Sequence, residues 1–132
     1  YTFEQASVVC PTNWHLPTDR EWQAMELHLG MGAAELGFTG YRGGLMGRAL
    51  KSSTDWLLKN GSNEFKFNVY PAGVYNNTKN TFEELTTHAY LWTATDAGNG
   101  QAFHRALTKD FDGVRRDSIE KGRGLSCRCV AD

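Results

Sequence analysis

Three cysteines carry the most reactive side chains of the sequence: Cys10 near its start, and Cys127 and Cys129 two residues apart near its end. An odd number leaves at least one sulfur unpaired or engaged outside the chain. If the last segment is a strand, period-two alternation puts Leu125, Cys127 and Cys129 on one face and Ser126 and Arg128 on the other. The Cα atoms of Cys127 and Cys129 then lie about 6.6 Å apart with parallel side chains, near the upper limit for a disulfide, so a bond between them is disfavoured. Two such thiols could instead hold a soft metal such as Cu(I) or work as a redox pair.

The other reactive groups are scattered. His15, His28, His88 and His104 form neither an H-x-x-x-H nor an H-E-x-x-H pattern. His15 is expected to hydrogen-bond the start of the following helix, and His28 to end an exposed helix face. His104 falls in a strand near a plausible ligand face. There is no G-x-S-x-G elbow and no phosphate-binding loop. Asp110-Phe111-Asp112-Gly113 imitates the start of a calcium loop but lacks the further oxygen ligands and the terminal Glu, so the two carboxylates are expected to serve a turn. Asn76-Asn77-Thr78 fits a glycosylation sequon, but three-residue matches of this kind are common. Lys plus Arg number 14 against 15 Asp plus Glu, a net charge of −1 that offers no footprint for nucleic acid or an anionic membrane. A membrane-spanning helix needs about 20 apolar residues in a row, and the sequence has only short runs such as Val8-Val9-Cys10.

These residues sit on elements that can be read from local pattern. The 132 residues are one domain's worth of chain, here taken as a single domain over 1–132 that lacks an N-terminal part of a longer protein. Aromatic residues make up 12% and there are 14 Gly, a composition that goes with loops and short strands. Residues 2–10 read as a short helix, with Thr2 and Gln5 as its capping box and Pro11 as its stop. Thr18-Asp19-Arg20-Glu21 is a stronger box, and Trp22, Met25 and Leu29 follow as an apolar stripe ending at Gly30. A helix over 19–29 follows, with Trp14 and Trp22 in the core. Residues 30–68 read as Gly-rich and irregular. Phe65, Phe67 and Val69 alternate as a short strand would, and residues 76–80 form a polar loop tip. Strands are expected at 90–95, 102–108, 114–118 and 125–130, with turns at 96–100 and Asp112-Gly113. Helices preceding strands without alternating with them indicate an α+β fold: two short helices, a long loop region and a small antiparallel sheet.

Four stretches resemble one family. Cys10-Pro11-Thr12-Asn13-Trp14-His15-Leu16-Pro17-Thr18-Asp19-Arg20-Glu21-Trp22 resembles the C-P-x-G-W-H-L-P-[ST]-x-x-E-W signature of the Fibrobacter succinogenes major paralogous domain. Phe67 to Tyr75 resembles its F-x-x-x-P-A-G-x-x segment, Tyr90 to Thr95 its aromatic-x-W-S-[SA]-T strand, and Gly124 to Val130 its terminal G-F-S-V-R-C-V. The sequence departs from it at Asn13 (Gly), Thr93 (Ser), Leu125 (Phe) and Cys127 (Val). L-P-T-x-x-E-W alone is shared with the formylglycine-generating enzymes.

The resemblance implies a C-type-lectin-like fold in a secreted or cell-surface bacterial protein, often an outer-membrane lipoprotein. It implies a Cys10–Cys129 disulfide, leaving Cys127 as a buried free thiol. By position in that fold, the strand bearing Trp92 leads to a ligand-meeting surface of Trp92, Asp96, Asn99, His104, Arg105, Arg115, Arg116 and Asp117, joined by Tyr75 from the 70–77 loop. Alternation puts Arg115 and Asp117 on one strand face and Arg116 on the other, and turns His104 away from Arg105. The expected function is a non-catalytic binding or adhesion module for a glycan or protein. It would use no calcium, since the Glu-Pro-Asn, Gln-Pro-Asp and Trp-Asn-Asp motifs of calcium-dependent lectins are absent. No cofactor and no metal site are expected. The rivals are a cysteine-dependent oxidase resembling formylglycine-generating enzymes through Cys127 and Cys129, a structural spacer of a surface lipoprotein, and a diversity-generated receptor.

Overall fold

The computed structural model describes residues 1–132. The two capping boxes form as the sequence demands. Thr2 caps α1 (Phe3–Val9) and Thr18 caps α2 (Asp19–His28), each exchanging hydrogen bonds with the Gln or Glu three residues on. Between them β1 (Trp14–His15) pairs with β8 (Val130–Ala131), bringing the two chain ends together. Asn13 turns the chain there with φ 67°, a left-handed conformation that a Gly or Asn accepts most easily. Trp14, expected in the core, is 48% exposed because this two-residue ribbon lies outside both hydrophobic clusters. His15 holds the start of α2 as expected, its Nε2 lying 2.8 Å from Glu21 Oε1 and its Nδ1 2.7 Å from Asp132.

The centre is a four-stranded antiparallel sheet in the order β2 (Gly40–Arg42), β7 (Val114–Glu120), β6 (Gln101–Thr108), β5 (His88–Gly98). A separate hairpin pairs β3 (Val74–Asn76) with β4 (Thr81–Glu83). The class is α+β, with few short helices and antiparallel sheets. It has three α-helices, not two: α3 (Met46–Leu50) lies in the stretch read as irregular, as do β2 and a 3-10 turn at Ala33–Glu35. Pattern alone could not find α3, because it is five residues long and held by contact. Gly47 sits so close to the 112–113 turn that a Cβ there would lie 2.1 Å from the Gly113 carbonyl oxygen.

Three strand expectations change. Residues 65–69 form no strand, since Lys66 and Asn68 have positive φ and only Val69 makes a bridge, to Lys51. Residues 125–130 do not form one antiparallel strand; Ser126 makes a parallel bridge to Leu91, and only Val130–Ala131 is a strand. β5 runs on through irregular register to Gly98, and the turn tightens to Asn99-Gly100, both at positive φ. Asp112-Gly113 is not a tight hairpin turn. It belongs to a wider loop whose Thr108 and Phe111 carbonyls accept hydrogen bonds from the buried Lys51 ammonium.

Two apolar clusters flank the sheet. Trp22, Met46, Leu50, Trp56, Leu91, Leu107 and Val114 belong to one. Ala6, Leu16, Val74, Trp92, Ala102 and Leu125 form the other, closed by the Cys10–Cys129 disulfide, whose Cα atoms are 5.7 Å apart.

Candidate functional site

Register decides where the expected site residues point. Leu91, Arg105 and Arg116 are cross-strand partners and share one sheet face; Trp92, His104 and Asp117 are partners on the other. Arg105 faces α2 and is buried. Its Nε donates to Glu26 Oε1 at 2.6 Å and its Nη1 to Asp19 Oδ1 at 2.6 Å. Arg116 donates from Nη2 to Asp19 Oδ2 at 2.7 Å, and Arg42 from Nη2 to Glu26 Oε2 at 2.6 Å. Burial works to raise the Asp19 carboxyl pKa, but the hydrogen bonds from Arg116 and Arg105 override it and hold the group below the usual carboxylate range. This is an internal ion cluster that ties α2 to the sheet, so Arg105 is not a ligand residue.

Trp92 is not one either. It is fully buried, meets Phe3 edge-on with ring centroids 5.6 Å apart, and donates its indole N–H to the Tyr1 carbonyl at 2.9 Å. His104 is 3% exposed, and neither ring nitrogen meets a protein hydrogen-bond partner. Burial pushes its pKa down to about 4, so the imidazole is neutral at pH 7. Asp96 pairs with Lys121 and accepts from the Gly98 N–H at 2.7 Å, shaping the turn that Asn99 occupies. Arg115 and Asp117 pair with each other at 2.9 Å on the outer sheet face, where the Arg115 guanidinium lies over Tyr41 and Tyr41 stacks on Phe111 at 4.6 Å. The eight expected residues therefore do not converge on one surface.

Tyr75 is different, because it lines a cavity. A hollow of about 240 Å³ is walled by Tyr1, Ala72, Gly73, Val74, Tyr75, Phe82, Gly124, Leu125 and Ser126. Its neighbours share those walls. Tyr75, Phe82 and Gly124 continue into a second hollow, and Ala72 and Ser126 into a third that also has Phe67, Tyr70, Cys127 and Arg128. Phe67 and Arg128 then lead to a fourth beside Glu21 and Trp22, while Thr2 leads the other way to a fifth beside Glu4 and Lys121. These separate hollows, each sharing wall residues with the next, line up as a broken furrow beside residues 122–130.

The glycines explain its shape. Gly73 has φ 67° and lets β4 approach so closely that a Cβ would lie 2.2 Å from the Glu83 carbonyl oxygen. At Gly124 a Cβ would lie 2.7 Å from that of Tyr75, so only a bare backbone leaves this ring its place. Phe82 faces Tyr75 as its cross-strand partner, with ring centroids 5.0 Å apart, and is 72% exposed. No expectation included Phe82. Taking the polar 76–80 loop as a hairpin tip would have set Tyr75 against Thr81; the connection is 77–80, with Asn76 paired to Thr81, which brings Phe82 opposite Tyr75.

Cys127 opens onto this furrow and against the Trp92 cluster, half-buried and not fully buried as expected. Burial pushes its thiol pKa up, away from thiolate chemistry. Cys129 is bonded to Cys10, so Cys127 and Cys129 do not form a pair of free thiols. Asp110 and Asp112 pair with Lys109 and Lys59, and the cation among the loop carbonyls is the Lys51 ammonium. No helix is long and apolar enough to cross a membrane.

A family model described as the Fibrobacter succinogenes major domain matches residues 1–131. No curated protein and no solved structure matches the chain.

Proposed function

The chain belongs to the Fibrobacter succinogenes major domain family, and from that premise we propose that it is a non-catalytic binding or adhesion module that takes a glycan or a protein without calcium. The observation that carries this reading is the furrow, shaped by close-packed glycine backbone and lined by exposed aromatic rings. Aromatic faces bury much area at little entropic cost, which suits recognition. The ion cluster and the disulfide keep the surrounding frame still, so an arriving ligand need not order it.

The helices, the two chain ends joined side by side and the central antiparallel sheet are compatible with a C-type-lectin-like fold, which is part of the proposal. So is a secreted or cell-surface location, with anchoring as an outer-membrane lipoprotein. A disulfide closing almost the whole chain suits an oxidising compartment.

Screening the purified protein against glycan and protein arrays tests the function. Specific capture that is lost in Tyr75→Ala is the expected result. A blank on both arrays would leave the spacer role in its place, and turnover of a thiol substrate at Cys127 would favour the oxidase.

A further inference from the structure

We propose that the outer edge of residues 125–129 is the docking place of one more antiparallel strand, and that this strand is the polypeptide joined to the amino group of Tyr1 in a longer chain. The proposal goes beyond the binding-module reading and does not depend on it.

The open edge follows from alternation. Residues 124–131 run without a turn or bend. Successive residues of such a segment turn their N–H and C=O groups to opposite sides. On the inner side Gly124 exchanges both bonds with Tyr75. Ser126 donates to the Tyr90 carbonyl and accepts from the Trp92 N–H, and Asp132 donates to the Asn13 carbonyl. The even-numbered residues therefore face β3, β5 and β1, and the odd-numbered ones face away. On that outer side Leu125 is paired, but the N–H and carbonyl groups of Cys127 and Cys129 meet no partner in the chain. A row of unpaired backbone groups is a template for a further strand.

Tyr1 identifies which strand. Its amino nitrogen donates to the Leu125 carbonyl at 2.9 Å, and its carbonyl accepts from the Leu125 N–H at 2.9 Å. Two residues that exchange both bonds are an antiparallel hydrogen-bonded pair. The Trp92 indole donates to the same Tyr1 carbonyl at 2.9 Å, which fixes this first rung. Continued backward through its amino nitrogen, an extended backbone runs from Tyr1 along the open edge. The residue two before Tyr1 comes opposite Cys127, and the residue four before comes opposite Cys129. Those are the missing rungs. A separate peptide would have to stop against Tyr1, whereas a joined one starts in register at the effective concentration of a short tether.

The register also sets the chemistry of the strand. Positions two and four before Tyr1 share the face of Cys127 and of the Cys10–Cys129 bond, beside the Trp92 cluster, and suit apolar residues. Positions one and three share the face of Ser126 and Arg128. The Arg128 guanidinium lies over the Phe67 ring at 4.5 Å and donates to the Phe67 carbonyl, with no carboxylate against it. An acidic residue three before Tyr1 would sit opposite it.

Amide hydrogen exchange followed by NMR tests this on two proteins, one beginning at Tyr1 and one carrying Thr-Val-Thr-Val-Thr before Tyr1. In the longer protein the Cys127 and Cys129 amides should exchange more slowly by about tenfold or more. The Ser126 amide, already bonded to Tyr90, should change little. Replacing the Val two before Tyr1 by Cys should then give a disulfide to Cys127, since paired Cα atoms there lie about 5.5 Å apart. A Cys one or three before Tyr1 points to the other face and should stay alkylatable in unreduced protein. Unchanged exchange at both amides, or equal cross-linking from all three positions, would overturn the docked strand. Equal protection by the free pentapeptide would overturn the tethered source. A dimer of the protein beginning at Tyr1, with both amides already protected, would give the edge to a second copy and overturn it as well. The array screen of the furrow stands or falls separately from each of these results.

Discussion

The two faces of the central sheet are held by different physics. On the α2 face, Asp19, Glu26, Arg42, Arg105 and Arg116 are packed among apolar side chains, and every one of these charges has an opposite charge against it. On the Trp92 face the second apolar cluster is closed by one covalent bond, with a bare imidazole beneath it and an aromatic furrow beside it. Residue types that suggest chemistry occur on both faces, but on the first they are buried and already paired with one another. The largest share of the hollow beside the second face is walled by tyrosine, phenylalanine and glycine. Charged residues in strands are thus a poor guide to a site when helix partners stand ready to neutralise them.

The largest expected effect comes from opening the covalent face. The Cys10–Cys129 bond spans 119 residues, and in the chain-entropy account a loop of that size contributes about 4–5 kcal/mol. Cys10→Ser with Cys129→Ser, measured by denaturant unfolding, should lose about that much, a large part of a small domain's stability. A loss below about 1 kcal/mol would mean that packing, not the bond, holds this face.

Glu26→Ala attacks the other face. It leaves Arg105 and Arg42 buried beside one missing carboxylate, and removal of one partner from a buried ion set typically costs about 3–5 kcal/mol. The same unfolding measurement checks it, and a loss comparable with that of an exposed pair, under about 1 kcal/mol, would show that water reaches the cluster.

How much of this was legible in the sequence follows the same division. The helices with capping boxes, Thr2 with Gln5 and Thr18 with Glu21, are local features and were legible, as were the long strands and the α+β class. The motif resemblance identified the family and the partner of Cys10. The ion cluster was not legible, because α2 has two stripes of the same spacing. Trp22, Met25 and Leu29 look like the core face, yet the fully buried positions are Asp19, Trp22 and Glu26. Only the arginines waiting on β6 and β7, some 80 residues further along, make that orientation favourable. Tyr75 was singled out from the sequence and Phe82, which faces it, was not, because their contact depends on a three-residue pairing too short to leave a periodic signal.

The smallest effect tests whether the Trp92 face is as bare as its geometry says. His104 faces Trp92 and Asp117 across the strands and has Tyr90 at 5.7 Å, with Arg115 and Arg105 opposing its protonation and Asp117 favouring it. Its folded pKa of about 4 lies below the ordinary 6.5, so between those values the unfolded chain binds the proton and the folded one does not. Stability must then fall as pH drops from 6.5 toward 4 and level off below, by at most about 3 kcal/mol. His104→Leu cannot titrate and should remove that slope while keeping stability near pH 7. Asp19 gives a slope of the same sign, but in a lower window, because its carboxyl is held below its ordinary range. His15 gives the opposite sign. Its hydrogen bonds with Asp132 and then Glu21 raise its pKa, so its contribution is present at low pH and fades as pH rises through that raised value. Measuring His104→Leu in a His15→Gln background separates the two histidines. If that variant keeps the slope between pH 6.5 and 4, the imidazole is solvated, and the two faces differ less than the register of Trp92, His104 and Asp117 requires.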